Sequence, residues 1–310
     1  MVHLPLPTVV SFLQIIFSTL QILIMKYIFG VKVDELDLGK MRAYALYILA
    51  FVMSLYANMK ALSLSNVETV IVFRACVPVA VTVIEYLFMD RALPSLRSTL
   101  SLATVTIGAC MYCLSDSEFA LNGLGAYYWC ILYYFSLTFE LTYGKQLISS
   151  IKMDTVWGPV LYCNILSAPF MFLLGYAAGD FNNISWKLAQ VSTKGLWILL
   201  FSGFTGTFIG YTSWMCRGMV SATTFSLVGV INKFLTVLMN VFIWDKHSSP
   251  AGLTAVCICL LAGSFYQQSP KRADLRKMEE LMNKANADDM KFSSEPLLGK
   301  DAEPRGANKL

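Results

Sequence analysis

Lys233, with Asn232 beside it, stands near the middle of an apolar run from Ser221 to Trp244 that is long enough to cross a bilayer. A lysine at mid-membrane costs about 3 kcal/mol even on lenient insertion scales, so it calls for a wet cavity or an anionic partner. Arg74 sits eight residues inside another apolar run, and its guanidinium offers a bidentate fork suited to phosphate oxygens. Two such cations suggest electrostatic holding of an anionic cargo. The competing reading is a protein carboxylate: Glu140 or Glu85 for Lys233, Glu68 or Glu85 for Arg74. Glu140 reads as a counter-ion before it reads as a proton site. Lys26 and Lys60 lie near the ends of their runs, where long side chains snorkel to the interface.

Gly229 offers side-chain-free backbone near Lys233, open to a cargo or to a neighbouring helix. Tyr162 and Asn164 combine an aromatic face with an amide, which suits a nucleobase and equally suits an interfacial anchor. No phosphate-cradling loop, nucleophile triad or paired carboxylates for glycosyl transfer stands out, so no catalytic residue is assigned and an enzyme is set aside. Eight cysteines all fall in apolar segments. Cys110 with Cys113 and Cys257 with Cys259 invite a metal reading, but zinc wants four ligands and the only histidines are His3 and His247. They read as packing residues, with no metal and no cofactor.

The elements that must hold these residues are membrane spans. Of 310 residues, 56% are hydrophobic and only 14% charged, with a mean hydropathy of +0.58; a soluble domain carries about 25% charged residues. Apolar runs of about 20 residues cross a bilayer, and nine occur: 5–29, 42–62, 66–89, 97–115, 122–145, 155–177, 194–216, 219–243 and 250–268. The expected fold is an all-α polytopic membrane protein with nine transmembrane helices over residues 1–269. Its polar tail, 270–310, is expected to be disordered apart from a short surface helix from Leu275 to Ala285. The first run is too long for a signal peptide and reads as a span. Basic residues gather at helix ends and in the tail, so nothing points to nucleic acid. With the tail in the cytosol, the loops on that side hold Arg217, Lys145, Lys152, Arg91, Arg97, Lys32, Lys40 and Arg42. The opposite loops hold only Lys187, Lys194 and Lys246, as the positive-inside rule expects. The sequon at Asn183 then falls on the lumenal side. Glu295-Pro-Leu-Leu298 has the form of a sorting signal.

Two stretches resemble one another: Phe88-Met-Asp-Arg-Ala-Leu-Pro94 and Ile243-Trp-Asp-Lys-His-Ser-Ser-Pro250, each followed by an apolar run with Gly and Tyr near its end. The offset of about half the chain divides the bundle into half-repeats over about 1–115 and 122–269, the arrangement that places cargo at mid-membrane in secondary transporters. In this register Arg74 aligns with Gly229 and Lys233 with Pro78, so each of two equivalent helices carries one cation.

At these residues the chain resembles the nucleotide-sugar transporters of the drug/metabolite transporter superfamily, and within them the GDP-mannose transporter family. Gly229-Val-Ile-Asn-Lys233 stands where that family has Gly-Ala-Leu-Asn-Lys, and Leu161-Tyr-Cys-Asn164 where it has Phe-Tyr-Asn-Asn. Asn66 to Arg74, Trp157 to Tyr162 and Lys233 to His247 are similar to plant-type Golgi GDP-fucose and GDP-sugar transporters. The resemblance implies a ten-helix inverted-repeat fold in the Golgi membrane, exchanging a cytosolic GDP-sugar (mannose, fucose or galactose type) for lumenal GMP. It implies that Tyr162 and Asn164 face the guanine, Lys233 the phosphates, and Gly229 with Phe225 the sugar. Asn232, Arg74 and Tyr211 complete the substrate-binding set. Partners are then the nucleotide-sugar, a nucleoside monophosphate and the lipid bilayer, with a homodimer left open. Cys163 replaces the first asparagine of the base motif, Phe225 replaces a tyrosine, and the first run aligns with the family's second helix, hence nine spans instead of ten. Two alternatives follow: a UDP-sugar such as UDP-N-acetylglucosamine as cargo, or a non-transporting membrane partner lacking the first helix.

Overall fold

The computed structural model describes residues 7–64, 67–114, 127–182, 192–243, 254, 258, 261–262 and 265–294. Among them the structure is helical throughout, without a named strand. The helices are α1 (Pro7–Tyr27), α2 (Leu38–Leu64), α3 (Val67–Phe88), α4 (Leu96–Leu114), α5 (Tyr128–Ser150), α6 (Trp157–Ala177), α7 (Thr193–Met219), α8 (Ala222–Ile243) and α9 (Arg272–Ser294). Their starts follow local chemistry. Asp37, Ser95, Ser192 and Ser221 each accept a backbone N–H three residues on, the N-cap bond that satisfies an otherwise unpaired helix donor. Gly30 and Gly179 take positive φ (66° and 74°) in the turns that follow α1 and α6. Pro78 and Pro169 lie inside α3 and α6, each removing one ladder bond.

Five stretches are long and apolar enough to cross a membrane: Thr8–Tyr27, Leu38–Leu64, Thr69–Phe88, Trp157–Ala177 and Thr193–Met219. The protein is therefore a multi-pass membrane protein. Eight of the nine expected runs coincide with α1 to α8; most of the ninth, 250–268, lies outside the described residues, as do Asn183 and Glu295 to Leu298. The tail departs from expectation. Its helix runs from Arg272 to Ser294 instead of Leu275 to Ala285, because helix-forming Lys, Glu, Met and Ala residues continue on both sides.

Two buried clusters organise the bundle. One joins α1, α2, α6 and α7 around Ile22, Tyr44, Ile48, Tyr162, Met171 and Trp214. The other joins α2, α3, α5 and α8 around Ala57, Val77, Val81, Tyr133, Leu141 and Ala222. Large apolar side chains such as Trp197, Phe201 and Phe204 of α7 point outward, which suits a lipid surround.

At one end, hereafter the tail end, two buried carboxylates hold helix starts belonging to other hairpins. Asp34, after α1, accepts from the N–H of Asp154 (2.8 Å) and Thr155 (3.0 Å) and from Thr155 Oγ1 (2.7 Å), just ahead of α6. Glu85, near the end of α3, accepts from the N–H of Ala222 (2.8 Å) and Thr223 (3.2 Å) and from Thr223 Oγ1 (2.6 Å), at the start of α8. Both place negative charge where a helix presents unpaired N–H groups and its positive dipole end. Arg91 Nε neutralises Glu85 at 3.3 Å.

Burial alone would raise the Asp34 pKa, but the bonds from Thr155 and Asp154, with Lys40 nearby, outweigh it and hold the carboxyl below its ordinary value. A depressed carboxyl pKa contributes stability that is present above the unfolded value of about 3.9 and is lost as pH falls through the folded value. Asp34→Asn is expected to destabilise the detergent-solubilised protein by about 1–3 kcal/mol at neutral pH. Melting curves for the two proteins should converge as the medium is acidified past that window.

Candidate functional site

A cavity of about 400 Å³ opens between the two buried clusters, lined by residues of α2, α3, α5, α6, α7 and α8. Its polar wall is Ser54, Asn58, Arg74, Tyr133, Glu140, Asn164, Ser213 and Arg217; Tyr47, Phe51, Trp214 and Phe225 supply aromatic surface. A larger groove of about 620 Å³ lies at the tail end against 148–159 and 214–219, with Lys152 and Asp154 as its charged residues. The central cavity is the better site for a charged cargo, because charged groups from three different helices converge on it.

At the cavity's tail-end floor, Arg217 of α7 reaches Glu140 of α5 at 3.3 Å. Both are buried, and the pair is well supplied with neighbours. Ser54 Oγ donates to Glu140 at 2.7 Å and Tyr47 OH at 3.4 Å. The guanidinium lies 4.8–5.6 Å from the ring centroids of Phe225, Trp214 and Tyr47, within cation–π range. Gly144 makes the approach possible, since a Cβ there would collide with Arg217. Lys145 Nζ donates to the carbonyls of Arg217 (2.8 Å) and Gly218 (3.1 Å), tying α5 to the end of α7 a second time.

Across the cavity, Arg74 Nη1 donates to Tyr133 OH. Its Nε is buried and has no hydrogen-bond partner among the described residues. The guanidinium lies against Gly229 of α8, in the space a Cβ would occupy. Arg74 and Gly229, aligned in the repeat register, are thus in direct contact. Lys233 follows one turn beyond Gly229, about 6 Å further along the helix axis. Its side chain is exposed, and neither a hydrogen bond nor an ion pair joins it to the described residues. The acids weighed against it are taken elsewhere: Glu140 by Arg217, Glu85 by Arg91. The Glu68 side chain lies outside the described ones.

The remaining residues divide. Phe225 and Asn164 line the cavity, and Asn164 Nδ2 donates to Ser18 Oγ at 2.7 Å. Asn232 is exposed, seven residues and nearly two full turns from Phe225, hence on the same face. Tyr162 lies away from the cavity wall. It is fully buried, its hydroxyl donates to the Glu35 carbonyl at 2.6 Å, and it accepts from the Asp37 N–H at 2.7 Å. Tyr162 thus pins the α1–α2 turn. Tyr211 is not among the cavity's lining residues; its ring lies against Trp157, centroids 4.3 Å apart and planes tilted by 34°, next to the cavity-lining Gly210. Sequence reading missed Tyr133, Asn58 and Ser54, whose polar groups are scattered singly through apolar runs. It used Arg217 only for orientation; its place three residues after Trp214, inside a 27-residue apolar helix, was the available signal.

Comparison with known proteins bears on this geometry. GDP-mannose transporter GONST3 of Arabidopsis thaliana is 32% identical over 269 residues, covering 86% of this chain and 71% of the relative. The chain belongs to the GDP-sugar transporter family. GDP-fucose transporter 1 of the same plant is 36% identical over 228 residues, 72% of this chain and 66% of the relative. GDP-mannose transporter 1 of Saccharomyces cerevisiae (strain RM11-1a) is 23% identical over 293 residues, 87% of this chain and 85% of the relative. The chain thus spans about two thirds of the length of the first two relatives. No family model matches. These relatives are named as transporters and not as enzymes.

Removing the Glu140 charge leaves Arg217 buried and uncompensated. Glu140→Gln is expected to cost about 3–5 kcal/mol, while Glu140→Gln combined with Arg217→Met recovers most of that loss. Thermal melts of the four proteins of this double-mutant cycle in detergent read both effects.

Proposed function

We propose that this protein carries a GDP-sugar across the Golgi membrane in exchange for GMP, with the tail end facing the cytosol. The observation that carries the reading is the contrast between cations. Arg217 and Arg91 have carboxylates, whereas Arg74 and Lys233 have none among the described residues. A nucleoside diphosphate-sugar brings about two negative charges, and a cavity that holds Arg74, with Lys233 about two turns further along α8 than the cavity-lining Phe225, attracts that group. In this reading Arg74 and Lys233 hold the diphosphate, Asn164 meets the guanine edge, and Phe225, Gly229 and Asn232 lie along the sugar. Tyr133 holds the Arg74 guanidinium toward the cavity.

The fold proposed for this activity is the inverted-repeat bundle, its two halves rocking about the central site. The Arg74–Gly229 contact supports it, because it joins the two helices that the repeat register makes equivalent. The names of the relatives support a GDP-linked cargo, either fucose or mannose. Cys163 on the cavity wall, standing where the family's base motif has asparagine, favours one further comparison, a UDP-sugar.

In proteoliposomes loaded with GMP, Lys233→Ala is expected to abolish GDP-sugar uptake while the protein still inserts. Arg74→Ala should lose at least about tenfold and Arg74→Lys less, since lysine keeps charge without the fork. Normal exchange by Lys233→Ala would remove the site assignment. Competition by UMP in place of GMP would move the cargo to uridine.

A further inference from the structure

The segment after the last expected span is fastened to the end of a membrane-crossing helix. Ala92 N–H donates to the Pro270 carbonyl at 3.1 Å, and Arg91 Nη1 to the Ser269 carbonyl at 2.6 Å. Arg272, the first residue of α9, donates its N–H to the Asp90 carbonyl (2.9 Å) and its Nη2 to the Tyr86 carbonyl (2.9 Å). Its guanidinium lies 4.2 Å from the centroid of the Tyr86 ring. Tyr86 belongs to the span Thr69–Phe88, two residues before its end. These bonds set the start of α9 at the level of the lipid headgroups.

Beyond Arg272, every side chain from Ala273 to Asn286 is exposed, so no part of the described chain covers this helix. It is nonetheless two-faced. Leu275, Met278 and Met282 share one face and Leu281 lies at its edge; they are 37%, 56%, 56% and 68% exposed. Arg276, Lys277 and Lys284 all lie on the far side, about 100° or more from the stripe. With Asp274, Glu279 and Glu280 the stretch 273–286 has no net charge, three basic residues against three acidic ones. The turns at the same end hold Lys32 and Lys152 together with Glu35, Asp37, Asp90 and Asp154, while Arg91 is committed to Glu85. A polar helix with a narrow apolar stripe, held at headgroup level, has the make-up of an interfacial helix.

We propose that α9 lies on the bilayer surface at the tail end, its Leu275–Met278–Met282 stripe among the upper acyl chains and its lysines in water. The occupant of the stripe is phospholipid, because the bonds to Tyr86, Asp90 and Ala92 hold the start of α9 against the end of a span. The inference is independent of cargo identity.

The test uses the full chain in vesicles of mixed zwitterionic and anionic phospholipid, with benzoylphenylalanine replacing Met278, Met282, Lys277 or Lys284 in separate variants. After irradiation, mass spectrometry is expected to find phospholipid adducts at 278 and 282 and several-fold fewer at 277 and 284. Equal lipid labelling at all four positions, adducts to a second copy of the chain, or no adduct at 278 and 282 would each overturn the proposal. Amide exchange gives a second reading. Met278→Glu with Met282→Glu should accelerate exchange across 275–286 in vesicles without altering nucleotide-sugar uptake, and unchanged exchange would equally overturn it.

Discussion

A carboxylate buried among membrane helices must find a cation, and Glu140 finds Arg217. That pairing governs much else in the bundle. It gives α5 and α7 a polar contact where they otherwise pack thinly, and it forms the tail-end floor of the central cavity. It also consumes the acid that would otherwise be the natural partner for Lys233. The aromatic rings around Arg217 matter for the same reason, since they add favourable electrostatics without adding a second negative charge. The balance in the cavity is therefore positive: one acid, one arginine committed to it, and a further arginine whose only bonded partner among the described residues is a phenol.

Asp34 and Glu85 perform a similar operation on a different partner. Each spends a buried negative charge on the start of a helix from another hairpin, and each recruits a threonine hydroxyl for its second oxygen. Direct bonds to a helix N-terminus are strong where water is scarce, because the N–H groups there have no partner within their own helix. The outcome is a tail end cross-linked by polar contacts.

Much of this architecture was legible in the sequence. Length and hydropathy located eight helices, and the depth of Lys233 and Arg74 in their runs identified two cations that have no carboxylate among the described residues. Internal repetition aligned Arg74 with Gly229, an equivalence of sequence position that does not by itself require the contact the two make. What was not legible depended on side-chain direction over long sequence separations. Arg217 looked like a loop charge because it lies two residues from the end of its helix, yet its side chain turns inward along Gly144. Tyr162 looked like a stacking platform because its neighbours resemble a base motif, yet its hydroxyl finds the backbone of the α1–α2 turn more than a hundred residues away. Periodicity specifies which face a residue occupies; it does not specify which of two polar neighbours that face will meet.

Pro78 gives α3 a property that bears on its cation. Without an N–H at position 78, the carbonyl of Arg74, four residues earlier, lacks its ladder donor. The rung lost is the one that would have stiffened the backbone at the charged residue itself. Bending of α3 is therefore easiest at the position that carries its guanidinium, so a small flexion there swings a long lever into or out of the cavity while Glu85, two turns below Pro78, stays fastened to α8.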